Sequence, residues 1–197
     1  MEKRKRDKNE TKKRIAEKAK ELFSQKGYAA TSIEDIIAAA ESSKGNVYYH
    51  FKSKENLFLY LLEAGIEEWI DQWKKKESQY HTASDKLYGI ALHVAEDFQN
   101  PLIKAAEEFS GSQTADPEVL SRVLEITRIP RRLYHEVLAE GIASGEFASR
   151  DVTELAFIFS GLLGGLGAAY YEVGIDELKR LYKEAITVFL HGISLEK

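Results

Sequence analysis

The sequence predicts an all-α protein of about nine helices. Three observations predict it. Apolar residues recur at three- and four-residue spacing along most of the chain. Helix-start chemistry recurs as well: Ser, Thr, Asp or Asn stands ahead of an apolar stripe, sometimes with Pro at the first helical position. Only 3 prolines interrupt the 197 residues, and almost no segment alternates apolar with polar residues as a half-buried strand would.

The elements follow in order. Ile15, Ala19, Leu22 and Phe23 share one face, and Gly27 follows as a stop. The next helix opens at TSIED, where Thr31 and Glu34 form a capping box ahead of the stripe Ile33, Ile36, Ile37 and Ala40. After the break ESSK, Ser43 caps a short helix from Lys44 to about Phe51. Ser53 caps a fourth helix, with Glu55 in its first turn, that reaches about Gln79. Asn100–Pro101 and Asp116–Pro117 open two later helices. The loop ASGEFASRD separates a helix ending near Ala143 from one starting near Val152. A last helix, Asp176 to His191, carries Leu178, Leu181, Ala185, Val188 and Phe189 on one side.

Hydrophobic residues at 44% and charged residues at 30% are ordinary for a globular chain. The absence of cysteine excludes a disulfide framework, a thiol nucleophile and a Cys-based zinc site, and suits a reducing cytosol. The basic start MEKRKRDKNETKKR is followed by no apolar stretch, so it does not read as a secretory signal, and a cytoplasmic location is expected. The net charge of −4 is unevenly distributed. Residues 1–54 carry 14 Lys and Arg against 8 Asp and Glu, whereas residues 55–197 carry 14 against 24. A basic first quarter on an acidic body suits one end that meets a polyanion, or a solvated basic tail.

Enzyme motifs fail on inspection. HEVLAE at His135–Glu140 is not HExxH, because position 139 is alanine. No GxSxG, no phosphate-binding GxxxxGK[ST] and no pair of Glu-x-x-His motifs is present. GLLGGLG lacks the preceding strand that a dinucleotide site needs. No catalytic residue, metal site or cofactor is therefore expected.

Residues 31–51 have the proportions of a helix-turn-helix, whose second helix lies in the DNA major groove. At about 100° per residue, Val47 and Phe51 fall on one inward stripe, while Gly45, Tyr48 and Tyr49 point largely the other way. Gly45 costs about 1 kcal/mol of helix stability but permits close backbone approach. Lys44 and Lys54 supply charge, and Ser42, Tyr48, Tyr49 and His50 supply groups suited to phosphate oxygens or base edges.

The stretch TSIEDIIAAAESSKGNVYYHFKSKENLF, within a match over about residues 10–60, resembles the DNA-binding segment of the TetR family of bacterial transcriptional repressors. ESSKGNVYYHFKSKENLFL followed by EEWIDQWKKK is similar to a multidrug-binding branch of that family, and a looser similarity runs to the C-terminus. The resemblance implies a homodimer. Each chain would carry a three-helix DNA-binding head at residues 1–54, with residues 1–9 a flexible basic tail, and a ligand-binding and dimerisation body at residues 55–197. Carried over by position, Ser42, Lys44, Gly45, Asn46, Tyr48, Tyr49, His50 and Lys54 match the DNA-contacting segment. Ile33 stands where a hydroxyl residue is common in the family, so Thr31 and Ser32 are expected to supply that contact.

A pocket in the body needs polar or aromatic residues where the helical pattern would otherwise be plain core. Trp69 and Trp73, one turn apart, are candidates, with Glu96, Asp97, Glu107 and Glu108 around the Asn100–Pro101 break and Phe109 and Tyr134 beyond it. The resemblance matches Trp69 and Asp97 to positions lining a pocket for flat, cationic, apolar compounds. Other pocket positions of that branch fall here on Asn100, Ser110, Thr127 and Pro130, so its ligand preference is not inherited. The expected effector is a small apolar molecule, either a cationic drug-like compound or a fatty-acyl one.

Leu155–Tyr171 runs 17 residues without a charge and contains a GxxxG at Gly161–Gly165. Its acidic flanks and its length, short of the roughly 20 residues of a bilayer span, favour a helix buried against a partner subunit over a membrane segment. The resemblance places the dimer interface on the last two helices, so Gly161, Gly164, Gly165, Ala168, Leu181, Val188 and Phe189 are expected there. The reading is thus a ligand-responsive repressor that binds operator DNA. The rival is a helical small-molecule or lipid carrier without DNA function, which the chemistry of Lys44–Lys54 opposes.

Overall fold

The computed structural model describes residues 2–112 and 117–193, with residues 2–7, 112 and 127 described through their backbone alone. Among the described residues the chain is helical and has no β-strand. The helices are α1 (Glu2–Ala30), α2 (Ile33–Ala39), α3 (Lys44–Phe51), α4 (Lys54–Glu77), α5 (Ala83–Asp97), α6 (Leu102–Ser112), α7 (Pro117–Ala143), α8 (Val152–Leu166) and α9 (Tyr170–Ile193). A 3-10 turn, Gly167–Ala169, makes α8 and α9 nearly continuous.

Local chemistry sets these bounds. Ser43 takes an extended φ of −102° and accepts the Asn46 N–H, so α3 starts at Lys44 as the sequence predicts. Ser53 Oγ accepts the Asn56 N–H at the start of α4, and Asp151 accepts the Glu154 N–H at the start of α8. The α2 cap differs from expectation by one residue. Ser32, not Thr31, is the N-cap, and it forms the capping box with Asp35 instead of Glu34. Two glycines interrupt helices at left-handed φ, Gly27 at 82° in α1 and Gly174 at 76° in α9, a region open to glycine without a Cβ clash. The regular part of α9 therefore begins beyond Gly174, close to the expected start at Asp176. The cap expected at Asp116 lies outside the described residues. Where a loose basic tail is expected over residues 1–9, α1 instead runs back to Glu2.

The chain forms two compact units. The first comprises Met1–Gly65 and Pro101–Ile126, and the second Ile66–Asn100 and Thr127–Lys197. The expected boundary at residues 54/55 thus differs from the observed division. The reason is aromatic. Phe23 is fully buried and packs edge-on to Phe58 at 4.9 Å; Tyr28 meets Phe109 of α6 at the same distance. The three N-terminal helices thus complete their core only with the start of α4 and with α6.

In the second unit α5 packs along α9. Its core holds Trp73, Leu87, Ile90, Phe159, Tyr182 and Ile186. The Tyr182 hydroxyl is satisfied inside this core by donating to the Leu163 carbonyl at 2.6 Å. By length and composition the run Val152–Ile193 would suffice to cross a membrane. Leu155, Phe159 and Leu163 on it are core residues, and Gly174 breaks it.

Candidate nucleic-acid interface and ligand pocket

In the first unit, α3 buries one side and displays the other. Val47 and Phe51 are 1% and 4% exposed, whereas Tyr48 and Tyr49 are 44% and 65% exposed. Lys44, Gly45 and Asn46 are exposed beside them. Leaving two tyrosines in water forgoes the burial energy that a packed helix would use, about 1.5–3 kcal/mol for a large apolar side chain. Lys44 lies 3.6 Å from Glu34, an exposed pair worth little. The Lys8 ammonium donates to the Tyr49 hydroxyl at 3.0 Å and lies 4.9 Å from that ring's centre. The hydrogen bond from Lys8, then its charge, holds the Tyr49 phenol below its ordinary value. His50 packs edge-on to Tyr49 at 5.0 Å. Burial, then the charges of Lys12 and Lys8, hold its imidazole below the usual value, so the neutral ring is favoured.

Not every expected residue joins this face. Thr31 is 1% exposed, and its hydroxyl is engaged with the Gly27 carbonyl at 2.7 Å and the Leu22 carbonyl at 3.3 Å. It closes the end of α1, which corrects the expected DNA contact. Ser32 spends its hydroxyl on the α2 cap, donating to Asp35 at 2.8 Å. The Ser42 hydroxyl is enclosed and has no hydrogen-bond partner among the described residues. The Lys54 ammonium lies over the Tyr28 ring at 4.2 Å, and burial holds it below its ordinary value. The open set is therefore Lys44, Gly45, Asn46, Tyr48 and Tyr49, with His50 half-buried at its edge. Lys8 and Lys12 join from α1. Sequence reasoning placed Lys8 in a tail and gave Lys12 no role, although their four-residue spacing puts both on one helix face.

The second unit contains a recess of about 260 Å³ lined by Trp69, Gln72, Lys76, His93, Glu96 and Asp97. Trp69 stacks on His93 with ring centres 4.5 Å apart and an 18° interplanar angle. The pair is bonded twice: the indole N–H donates to the His93 carbonyl at 3.4 Å, and the imidazole Nε2 lies 2.9 Å from the Trp69 carbonyl. A carbonyl only accepts, so Nε2 carries the proton. Burial holds His93 below its ordinary value, against the Trp69 hydrogen bond. The two acids differ. Burial raises the Glu96 carboxyl, but Lys179 at 3.1 Å and Lys76 at 3.6 Å bring it below its usual value. Burial raises Asp97, and the Asn100 amide at 3.3 Å offsets only part of this. Among the described residues Asp97 makes no ion pair.

Four expected pocket residues lie elsewhere. Phe109 is 1% exposed in the core of the first unit. Glu108, one residue before it, accepts the Ala29 N–H at 3.2 Å, and its carboxylate fills the space a Cβ at Gly27 would need. Glu107 is exposed on the same helix. The cause is the α6 stripe Leu102, Ala105 and Phe109, all buried, which packs on α1 and carries the acids with it. Tyr134 is 6% exposed, edge-on to Phe159 at 5.1 Å in the second core, and burial raises its phenol.

On α8 and α9, a Cβ added at Gly161, Gly164 or Gly165 would meet open space. Phe157, Ile158 and Val188 are 56%, 57% and 65% exposed, and Ala168 is exposed as well. Leu181 is half-buried. Phe189 is a correction: it is 9% exposed and packs on Phe159 of its own protomer at 5.3 Å.

A displayed, basic-edged recognition helix on an all-helical scaffold defines the class, a helix-turn-helix DNA-binding regulator. The comparisons agree. Residues 15–61 match the family described as bacterial regulatory proteins, tetR family, and residues 65–195 match the QacR-like protein, C-terminal region. The chain belongs to the TetR family. It is similar to the transcriptional regulator QacR of Staphylococcus aureus, 34% identical over 177 residues that cover 89% of this chain and 94% of that one. It is also similar to an uncharacterised regulator, YfiR of Bacillus subtilis, 25% identical over 87% of this chain and 89% of that one. The fold of Bacillus subtilis FadR in complex with stearoyl-CoA matches with a TM-score of 0.75 at 21% identity, covering 91% of this chain and 98% of that one. The protein is a ligand-responsive DNA-binding transcriptional repressor and not an enzyme. Regulators of the family bind operator DNA, dimerise and take small-molecule effectors.

Proposed function

We propose that the open face of α3 enters the major groove of operator DNA, with Lys44, Gly45, Asn46, Tyr48, Tyr49 and His50 meeting phosphates and base edges. The observation that carries this reading is the exposure of Tyr48 and Tyr49 opposite the buried Val47 and Phe51. Two copies, joined through the Gly161–Gly165 side of α8 and the neighbouring face of α9, present two such helices to half-sites about 34–36 Å apart. The protein acts in the bacterial cytoplasm.

The effector proposed for the recess beside Trp69 is a compact apolar molecule bearing a positive charge. Glu96 is already matched by two lysines, so Asp97 is the acid left for a cation. A volume of about 260 Å³ lies below the usual 300–1,000 Å³ range for drug-sized ligands. That suits a compact cation better than a long acyl chain. DNA selects one spacing of the two heads and the effector another, so each weakens the other by about 1–3 kcal/mol. The test is to titrate the protein on DNA from upstream of its own gene with a lipophilic cation and with a long-chain acyl thioester. Release by the cation, over the same range that alters tryptophan fluorescence, supports the reading. Release by the thioester alone overturns the cation assignment.

A further inference from the structure

The recess beside Trp69 has spent its strong donors and kept its acceptors. The Trp69 indole N–H goes to the His93 carbonyl, and the Lys76 ammonium is drawn to Glu96 at 3.6 Å. Glu96 is taken in turn by Lys179 as well. The Asp97 carboxylate makes no ion pair among the described residues and receives one long hydrogen bond, from the Asn100 amide at 3.3 Å.

His93 is the second acceptor. It is 5% exposed, its ring stacks on Trp69, and its Nε2 lies 2.9 Å from the Trp69 carbonyl. That bond puts the proton on Nε2, so Nδ1 carries a lone pair. No described residue donates to Nδ1. The atom is not sealed in the core either. Among the described residues, the enclosed side-chain nitrogens and oxygens without a partner belong to Ser42, Trp73 and Arg131. The space that His93 lines is the recess itself. Burial keeps the ring neutral, holding the imidazole below its ordinary value. An unpaired acceptor costs little while water reaches it, and much once a ligand expels that water.

His93 and Asp97 stand four residues apart on α5. Their side chains therefore share one face, with Cβ atoms about 5–6 Å apart. The two acceptors suit two N–H groups of one cationic nitrogen, one on the carboxylate and one on the imidazole. The apolar part of the molecule then lies against Trp69. A quaternary ammonium fills the same space and keeps its charge, but it has no N–H to offer Nδ1.

We infer that His93 Nδ1 is a specificity-determining acceptor: with Asp97 it selects compact apolar cations that bear N–H donors, protonated primary amines above all, over quaternary ammonium ions. This rests on the proposal that the recess takes a cation, and it names the chemistry of that cation.

The test is calorimetric titration of the whole chain at neutral pH with benzylammonium, benzyldimethylammonium and benzyltrimethylammonium. The three share a ring and a charge and carry three, one and no N–H groups. Methyl groups add apolar surface, so a recess that reads charge alone binds the trimethyl cation most tightly. The opposite order is expected, with the trimethyl cation weaker than benzylammonium by about 5- to 150-fold. His93→Phe keeps a ring on Trp69 and removes the acceptor, so it should invert that order. A parent that prefers the trimethyl cation overturns the inference and leaves the cation reading intact, and so does a His93→Phe variant that keeps the parent's order. If His93→Phe does not fold, the parent's order decides alone. A parent that binds none of the three overturns the cation reading and this inference together.

Discussion

The α3 face and the Trp69 recess each gather about six polar or aromatic side chains, and they do so in opposite ways. On α3 the functional residues are consecutive, from Lys44 to His50, and one local event displays them: Ser43 caps the helix and Val47 and Phe51 anchor it. In the recess the residues come from two helices, Trp69, Gln72 and Lys76 on α4 and His93, Glu96 and Asp97 on α5. Their charge state depends on a third helix, since Lys179 of α9 neutralises Glu96. A surface that reads DNA is made by withholding side chains from the core. A cavity is made by the packing itself, and its Glu96 takes its acidity from Lys76 and Lys179, both distant in sequence.

The largest expected effect tests whether Phe109 belongs to the first unit's core. Phe109→Ala removes a fully enclosed ring from the cluster with Tyr28 and Phe58. It should cost about 3–5 kcal/mol of stability by denaturant melting. If it left stability intact and weakened effector binding instead, α6 would belong to the pocket.

Next in size is the assembly. Gly164 faces open space in the protomer, so Gly164→Trp should fold normally, and sedimentation should show the dimer dissociating as the indole holds two helices apart. An unaltered dimer would move the interface away from α8.

Asp97→Asn separates the two acids of the recess. It should lower affinity for a lipophilic cation by about 1–3 kcal/mol, measured by tryptophan fluorescence titration. Burial raises the Asp97 carboxyl in the folded state. Its contribution to stability is therefore full below the ordinary carboxylate range and lost as pH rises through the folded-state value. The Asn variant should be the more stable protein at neutral pH, and a less stable one would show that the Asn100 hydrogen bond to Asp97 outweighs the cost of its burial.

The smallest effect is the pH response of His93. Burial favours its neutral form, so its contribution is complete above the ordinary imidazole value of about 6.5. It is lost as pH falls through the lower folded-state value. The thermal midpoint of the parent should drop more steeply on acidification than that of His93→Gln, with a change in tryptophan emission as the Trp69 stack loosens. Parallel pH curves would mean that His93 does not titrate on unfolding.

The same contrast explains what the sequence makes legible. The bounds of α3 follow from Ser43 and the aromatic spacing, because the interactions that fix them lie within eight residues. The α2 cap is ambiguous locally. Thr31 and Ser32 each have an acid three residues on, and the choice falls to Ser32 because the end of α1 offers Thr31 two carbonyls. Glu107 and Glu108 read as pocket residues because they lie around a helix break, and Phe109 because it is an aromatic beyond it; only the packing of α6 on α1 reveals otherwise. His93 sits in an apolar stripe where a lone histidine gives no local sign of its stacking partner 24 residues away. Phe189 and Val188 are adjacent, and the facing of α9 sends one inward and the other outward.

The central claim is that α3 is a reading helix whose exposed side chains are spared for DNA. Tyr49→Ala tests it most directly, with affinity for the upstream duplex and the thermal midpoint measured on the same preparation. Tyr49 is 65% exposed, so the account predicts an unchanged midpoint. It also predicts a loss of about 1–3 kcal/mol of specific binding, roughly 5- to 150-fold per contact. Retained binding, or a fall in the midpoint that matches the fall in affinity, would contradict it and make Tyr49 a packing residue.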